Sequence, residues 1–147
     1  MLTRTSQTKR LSGRAQSTLA RKTDDPFDVA LAQTVEEVAQ RFGTNVEFAA
    51  EPIGDIPVDE QEQLLRIVRE AVSNAGRHAG ADVVKVTCTN GGPLRVRIED
   101  DGSGFDPQTV DETGFGLVAM RERAAAIGAQ LEIASVVGRG TSVEVRV

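Results

Sequence analysis

The spacing of apolar residues along this chain changes between a helical and a strand-like period. Three stretches show the helical period and are expected to form helices: Asp24 to Gly43, about Glu60 to His78, and Leu117 to Ile127. Asp59, with Glu62 three residues later, predicts a capping box at the start of the second helix. Gly128 predicts the C-terminal cap of the third.

Apolar and polar residues alternate between the expected helices, which predicts strands. These strands are Thr44 to Ala49, Val83 to Thr89, Leu94 to Glu99, a segment around Leu131 and Ile133, and Val143 to Val147. Asn90-Gly91-Gly92 and Gly138-Arg139-Gly140 have the composition of turns between antiparallel strands. Hairpins with amphipathic helices between them predict a two-layer α/β (α+β) sandwich.

Charge is distributed unevenly over the 147 residues, a length that fits one domain. The formal net charge is −5, but residues 1–22 carry six basic side chains and no acidic one. We therefore expect residues 1–25 to be a basic flexible arm or linker remnant, and residues 26–147 to form the folded domain. The acidic domain argues against nucleic-acid binding and against contact with a membrane surface.

Other classes of protein and site are disfavoured by what the sequence lacks. No apolar run approaches the ~18 residues of a membrane span. Cys88 is the only cysteine and His78 the only histidine, so an intrachain disulfide cannot form and a zinc site is not expected. We expect a cytoplasmic location.

One face of the second expected helix is polar. At ~100° per residue, Glu70, Asn74 and Arg77 fall within about 60° of one another, mostly opposite the apolar stripe. Side-chain oxygens of Glu and Asn suit Mg²⁺, and a guanidinium suits phosphate. The alternative is an ordinary solvated helix face, and His78 taken alone is typical of a polar residue at a helix end.

Two glycine-rich turns follow this helix along the chain. Asp101 comes after an expected strand and before Gly102 and Gly104, so its carboxylate could accept a hydrogen bond from an exocyclic amine such as adenine N6. Gly114 and Gly116 precede the third helix, where their amides could face phosphate. The alternatives are an ordinary Asp-Gly turn and a flexible loop. Neither a P-loop nor a Rossmann fingerprint is present.

Taken in order, four motifs resemble the ATP-binding domain of sensor histidine kinases over about residues 26–147. They are Glu70-x-x-x-Asn74-Ala75-x-Arg77-His78, Asp101-Gly102-Ser103-Gly104-Phe105, Gly114-Phe115-Gly116-Leu117-x-x-Met120-Arg121-Glu122-Arg123, and Gly138-x-Gly140-Thr141. The third motif is most similar to the subclass that signals to response regulators with helix-turn-helix output domains. The resemblance implies the Bergerat ATP-binding fold, a mixed and largely antiparallel sheet covered on one face by about three helices.

The resemblance implies ATP and Mg²⁺ as cofactors and assigns residues to the phosphate end of the site. Asn74 would be the magnesium ligand, and Glu70 would be the catalytic residue that polarises the attacking group or water. Arg77 and His78 would approach the phosphates. Residues 106–113 would form a short ATP lid. The remaining residues expected at the phosphate end follow this lid, and they are Gly114, Gly116 and Leu117.

The adenine end is assigned in the same way. By resemblance, Asp101 would contact adenine in a pocket shaped by Gly102 and Gly104. Thr141 would help to hold the base through water.

The function implied is that of the catalytic half of a two-component kinase. Such a domain donates the γ-phosphoryl group of ATP to a histidine on a helical dimerisation domain, from which it passes to a response regulator. Residues 1–25 contain no histidine and His78 lies in the nucleotide motif, so we expect both partners on other segments or chains. The isolated domain is expected to be a monomer. The alternative is a stand-alone nucleotide-binding regulatory module resembling anti-sigma-factor serine kinases.

Overall fold

A computed structural model describes residues 7–11, 26–78, 80–109 and 115–147, the first of these by backbone alone. These ranges contain six strands and three helices: β1 (Gln7–Leu11), α1 (Phe27–Phe42), β2 (Asn45–Ala50), α2 (Val58–Arg77), β3 (Val83–Thr89), β4 (Arg95–Asp100), α3 (Leu117–Ala126), β5 (Gln130–Val136) and β6 (Gly140–Arg146). Every helix and strand expected from the sequence is present, with boundaries that differ by a few residues. None of the helices in these ranges has the length and apolar character needed to cross a membrane.

The strands form one mixed sheet in the order β1-β2-β3-β4-β6-β5. The neighbours β2 and β3 are parallel because α2 connects them as a crossover, and the other pairs are antiparallel. The register places Val86 opposite Ile98, and Ile98 opposite Val143, so apolar side chains share one face of the sheet. The mixed, largely antiparallel sheet expected from the resemblance is confirmed.

The three helices cover this apolar face. Helix α2 packs between α1 and α3 and contacts β4 and β6. Fully buried side chains from both layers form the core: Leu31, Val35, Val38, Leu64, Ile67, Val68, Val84, Val86, Val96 and Met120. The other face of the sheet carries ion pairs, such as Arg97 Nε to Glu99 Oε2 at 2.6 Å and Arg146 Nη2 to Glu132 Oε1 at 3.0 Å. The molecule therefore has the two layers that the sequence predicts.

The start of α2 differs from the expected capping box. The helix begins at Val58 after Pro57, and no side chain caps it. Proline suits a helix start because its φ is fixed near the helical value, and here it places Asp59 inside the first turn. The predicted capping box is therefore wrong, although Asp59 and Glu60 still lie where negative charge is favourable beside a helix N-terminus.

One strand falls within the expected N-terminal arm. Residues Gln7–Leu11 pair antiparallel with β2 and form an edge strand of the sheet. The sequence Gln-Thr-Lys-Arg-Leu lacks apolar alternation, which is why the strand was not expected. The rest of residues 1–25 lies outside the described residues, and the proposed boundary at residue 26 stays a prediction.

Candidate functional site

A row of polar side chains ends the apolar face of the sheet. Asp100 of β4 lies opposite Thr141 of β6, and Thr141 lies opposite Ser135 of β5. The next row along the same strands is apolar and consists of Ile98, Val143 and Ile133. Because side chains alternate between faces along a strand, both rows face the helices.

A cavity lies between these two rows and the helices α2 and α3. Its lining combines apolar side chains with a few polar ones: Ala71, Asn74, His78, Ile98, Asp100, Gly104, Phe105, Phe115, Leu117, Met120, Ile133, Thr141 and Val143. An apolar pocket with a few placed polar groups is the usual form of a small-molecule site.

Three aromatic rings restrict this cavity. The ring of Phe115 lies 5.0 Å from that of Phe105 and 4.7 Å from that of His78, centroid to centroid. The cavity volume is about 40 Å³. The positions of these rings therefore limit the space available to a planar ligand.

Asp100 is the carboxylate at the polar end of the cavity. Its Oδ1 accepts a hydrogen bond from the backbone N–H of Gly102 at 2.9 Å. Burial raises the pKa of Asp100 above its ordinary value, and hydrogen bonds from the backbone N–H groups of Gly102 and Thr141 oppose that rise. The site thus holds a half-buried carboxylate whose remaining lone pairs can accept from a ligand.

Asp101 does not line the cavity, which corrects the role expected for it. The residue is exposed, and its Oδ1 accepts hydrogen bonds from the backbone N–H groups of Asp82 and Val83 at 3.0 and 3.1 Å. Its carboxylate ties the end of β4 to the start of β3. The alternation of Val96 and Ile98 was the signal that could have identified Asp100, since the inward positions of β4 are the even-numbered ones.

Asn74 faces the cavity from α2, one helical turn before His78. Its Nδ2 donates to the carbonyl oxygen of Phe115 at 2.6 Å, which fixes the nitrogen end of the amide. Its Oδ1 is buried and has no hydrogen-bond partner among the described residues. An unpaired buried oxygen is costly, so this atom is suited to a ligand that supplies a positive charge.

Glu70 lies one turn before Asn74, beside the residue that precedes α3. Gly116 has φ +66°, and a Cβ atom there would overlap the Glu70 carboxyl group, so glycine allows the backbone to approach this carboxylate. Arg77 Nη2 lies 3.8 Å from Glu70 Oε2, and Arg77 Nε donates to His78 Nε2 at 3.1 Å. The helix therefore presents a carboxylate, a guanidinium and an imidazole in contact.

Glycines bring the sheet and the loops close together at the polar end. Gly140 has φ +105°, and a Cβ atom there would overlap the carbonyl oxygen of Asp100. Gly104 has φ +64°, and its Cβ would overlap the carbonyl oxygen of Val136. A larger residue at Gly140 would push β6 away from Asp100, and one at Gly104 would push the loop after β4 away from Val136.

Most of the site residues expected from the sequence come together around the cavity. Five of them line it: Asn74, His78, Gly104, Leu117 and Thr141. Arg77 contacts His78 and Gly102 contacts Asp100, while Glu70 contacts Arg77 and lies beside Gly116. Gly114 lies outside the described residues. Sequence reasoning missed Asp100 and Ser135, and it gave no role to Phe105, Phe115 and Met120.

The cavity lies inside a segment that matches a known family. The model of the histidine kinase-, DNA gyrase B-, and HSP90-like ATPases matches residues 59–147, a range that contains all of the lining residues. This chain belongs to that family. It therefore carries an ATP-binding domain, and the cavity is the candidate site for ATP.

Individual relatives of this ATPase domain include a sensor histidine kinase and a sensor protein. The chain is 35% identical over 120 residues to the sensor histidine kinase LiaS of Bacillus subtilis, which covers 80% of this chain and 32% of the relative. It is 40% identical over 92 residues to the sensor protein VraS of Staphylococcus aureus, covering 62% of this chain and 26% of the relative. The chain thus spans about a third or less of the length of these relatives.

A solved structure shows the same architecture. The blue-light activated histidine kinase of Erythrobacter litoralis EL346 superposes with a TM-score of 0.72 at 26% identity, over 83% of this chain and 41% of that one. The α/β sandwich expected from the sequence is confirmed.

Proposed function

We propose that this ATP-binding domain positions Mg²⁺-ATP and donates its γ-phosphoryl group to a histidine side chain of another segment or chain. The observation that carries the proposal is one cavity with the Asp100–Thr141 pair at the sheet and the unpaired Asn74 oxygen on α2. The relative LiaS is a sensor histidine kinase, which supports transfer to a histidine of a helical phosphoacceptor domain and then to a response regulator.

Asp100 is proposed to recognise the base. Its carboxylate accepts only, and an adenine carries an exocyclic amine that only donates. The amine would take a lone pair that the backbone N–H groups of Gly102 and Thr141 leave free. The apolar rows of the cavity would then contact the faces of the purine ring.

Asn74 is proposed as the protein ligand of Mg²⁺. The described residues contain no group of three or more His, Cys, Asp or Glu side chains that could hold a metal by themselves. Magnesium commonly uses one or two protein oxygens and completes its shell with phosphates and water, which a single Asn74 oxygen fits. The bound ion would neutralise charge on the phosphates during transfer.

Glu70, Arg77 and His78 are proposed to serve the phosphate end. The Arg77 guanidinium and the imidazole of His78 can donate to phosphate oxygens, and the mutual contacts of these residues orient them on α2. Glu70 would accept a proton or orient the incoming nucleophile. In the transfer, a ring nitrogen of the acceptor histidine bonds to the γ-phosphorus as the bond to the bridging oxygen breaks, and ADP leaves.

Two measurements test the proposed function. Calorimetry should detect ATP binding to this chain that strengthens with Mg²⁺ and exceeds GTP binding. With labelled ATP and a separately supplied phosphoacceptor domain, the transferred phosphate should be acid-labile, as phosphohistidine is. Acid-stable phosphoserine on a partner would instead support the regulatory-module alternative, and absence of ATP binding would overturn the proposal.

Asn74→Ala tests the magnesium assignment separately. We expect the Mg²⁺-dependent gain in ATP affinity to fall about tenfold or more, because the ion loses its protein ligand. Asn45→Ala is the matched control, since Asn45 is an exposed asparagine on β2 that does not line the cavity. Equal Mg²⁺ dependence in Asn74→Ala and wild type would contradict the assignment.

A further inference from the structure

Ser135 joins three polar groups of the site through one hydroxyl. The residue is 9% exposed and lies in the same cross-strand row as Asp100 and Thr141. Its Oγ accepts from the backbone N–H of Phe105 at 2.8 Å, contacts the carbonyl oxygen of Gly140 at 3.2 Å, and lies 2.8 Å from Thr141 Oγ1. A single buried hydroxyl thus connects the loop after β4 with the start of β6.

The number of available protons fixes the direction of each hydrogen bond. The Gly140 carbonyl has no proton, so its contact with Ser135 uses the Ser135 hydroxyl proton. The Phe105 N–H supplies the proton of the second contact. The third contact must then use the Thr141 hydroxyl proton, donated to Ser135. No other assignment places a proton in all three contacts.

Thr141 is consequently left with lone pairs only. We propose that Ser135 is a positioning residue that holds the Thr141 hydroxyl as an acceptor toward the cavity and so makes the site select a 6-amino purine over a 6-keto purine. This rests on the proposed function, in which the base binds at Asp100. Asp100 and Thr141 together present acceptors to the group at position 6 of the base, where adenine carries a donating amine and hypoxanthine or guanine carries a carbonyl oxygen that they repel.

Removing the Ser135 hydroxyl changes this selection. In Ser135→Ala the Thr141 hydroxyl has no acceptor at residue 135 and is free to rotate, so it can donate to a keto oxygen. The variant also leaves the Phe105 N–H and the Gly140 carbonyl without that partner. The loss of these two hydrogen bonds would weaken the binding of ATP and of inosine triphosphate, whose base is hypoxanthine, to the same extent. A change in the direction of the Thr141 hydroxyl instead alters the ratio of the two affinities.

The test is the ratio of the Kd of inosine triphosphate to the Kd of ATP, measured by calorimetry with Mg²⁺ on the whole chain. We expect the ratio to fall about tenfold in Ser135→Ala, the size of one hydrogen bond gained by one ligand and lost by the other. Ser142→Ala is the control, because Ser142 lies next to Thr141 on the opposite face of β6 and should keep the wild-type ratio. An unchanged ratio in Ser135→Ala overturns the inference.

Thr141→Val provides the same test if Ser135→Ala does not fold. It removes the hydroxyl itself, and with it the acceptor that favours the amine, so the ratio should fall, and the double variant should show no further fall than Thr141→Val. Ser135→Thr keeps a hydroxyl and should keep the wild-type ratio. A wild-type chain that binds neither nucleotide refutes the proposed function, whereas ATP selectivity that survives Thr141→Val refutes the role of the Ser135–Thr141 pair alone.

Discussion

Asp100→Asn tests which carboxylate recognises the base. Asp100 offers two oxygens to three donors, namely the backbone N–H groups of Gly102 and Thr141 and the proposed ligand amine. Asparagine offers one oxygen with two lone pairs, and its NH₂ group only donates. In either orientation of the amide, one of the three donors loses its acceptor.

The expected loss follows from the type of hydrogen bond removed. Hydrogen bonds to charged groups contribute about 1.5–3 kcal/mol, which corresponds to a loss of roughly 10- to 150-fold in ATP affinity. Asp101→Asn is the matched control in the neighbouring residue. Because a single oxygen, Oδ1, accepts from both Asp82 and Val83, asparagine can keep those bonds, and ATP affinity should stay within about twofold of wild type.

Both variants can be compared by calorimetry at one Mg²⁺ concentration. Thermal unfolding of each variant establishes that the domain is folded at the temperature of the titration. If Asp101→Asn loses as much affinity as Asp100→Asn, or if Asp100→Asn stays within about twofold of wild type, the assignment of Asp100 is refuted.

Three other predictions concern packing, at the site and at Cys88 in the core. Gly140→Ala should lower the free energy of unfolding by about 3 kcal/mol in a denaturant titration, because φ is +105° and a Cβ would overlap a carbonyl oxygen. The control Gly128→Ala has φ +66° and open space around the Cβ, and it should lower the free energy of unfolding by about 1 kcal/mol. Equal losses in the two variants would contradict this reasoning. Burial raises the pKa of Cys88 from 9.0 to about 12, so alkylation at pH 8 should be about a thousandfold slower than in the unfolded chain, and equal rates would show that the thiol is accessible. Phe115→Ala should speed ATP association about tenfold in stopped-flow measurements, since the cavity loses a ring that contacts both His78 and Phe105, and an unchanged rate would place the barrier elsewhere.

Helices and strands could be predicted because their apolar residues are periodic. Strand β3 was expected at Val83 to Thr89 and is found there, since its even-numbered residues are buried without interruption. Helix α3 ends at Ala126 with Ile127 as its C-cap, one residue before the expected cap at Gly128. The backbone N–H groups of Gly128 and Ala129 still bond to carbonyls of the last turn. Strand β1 has no such pattern because it is held by backbone pairing with β2.

The site could be predicted only where its residues lie on a regular element. Glu70, Asn74 and Arg77 follow helical spacing, and in the structure Glu70 contacts Arg77 while Asn74 lines the cavity. Asp100 and Asp101 are adjacent in a motif of acidic and glycine residues, so composition alone cannot separate them. The direction in which each side chain points separates them, and it is set by the last inward position of β4.

In the proposed reaction the phosphate-accepting histidine lies on another segment or chain, and the geometry of α2 gives the reason. His78 is the only histidine of the chain, and its backbone N–H bonds to the carbonyl of Asn74, so both residues move with the same helical turn. Its ring contacts Phe115, and its Nε2 accepts from Arg77. In-line transfer requires an acceptor that approaches the γ-phosphate independently of the groups that hold it, and a residue fixed among those groups cannot do so. The same contacts that suit His78 to the phosphate site therefore exclude it as the acceptor, and the proposed reaction needs a second histidine-bearing segment.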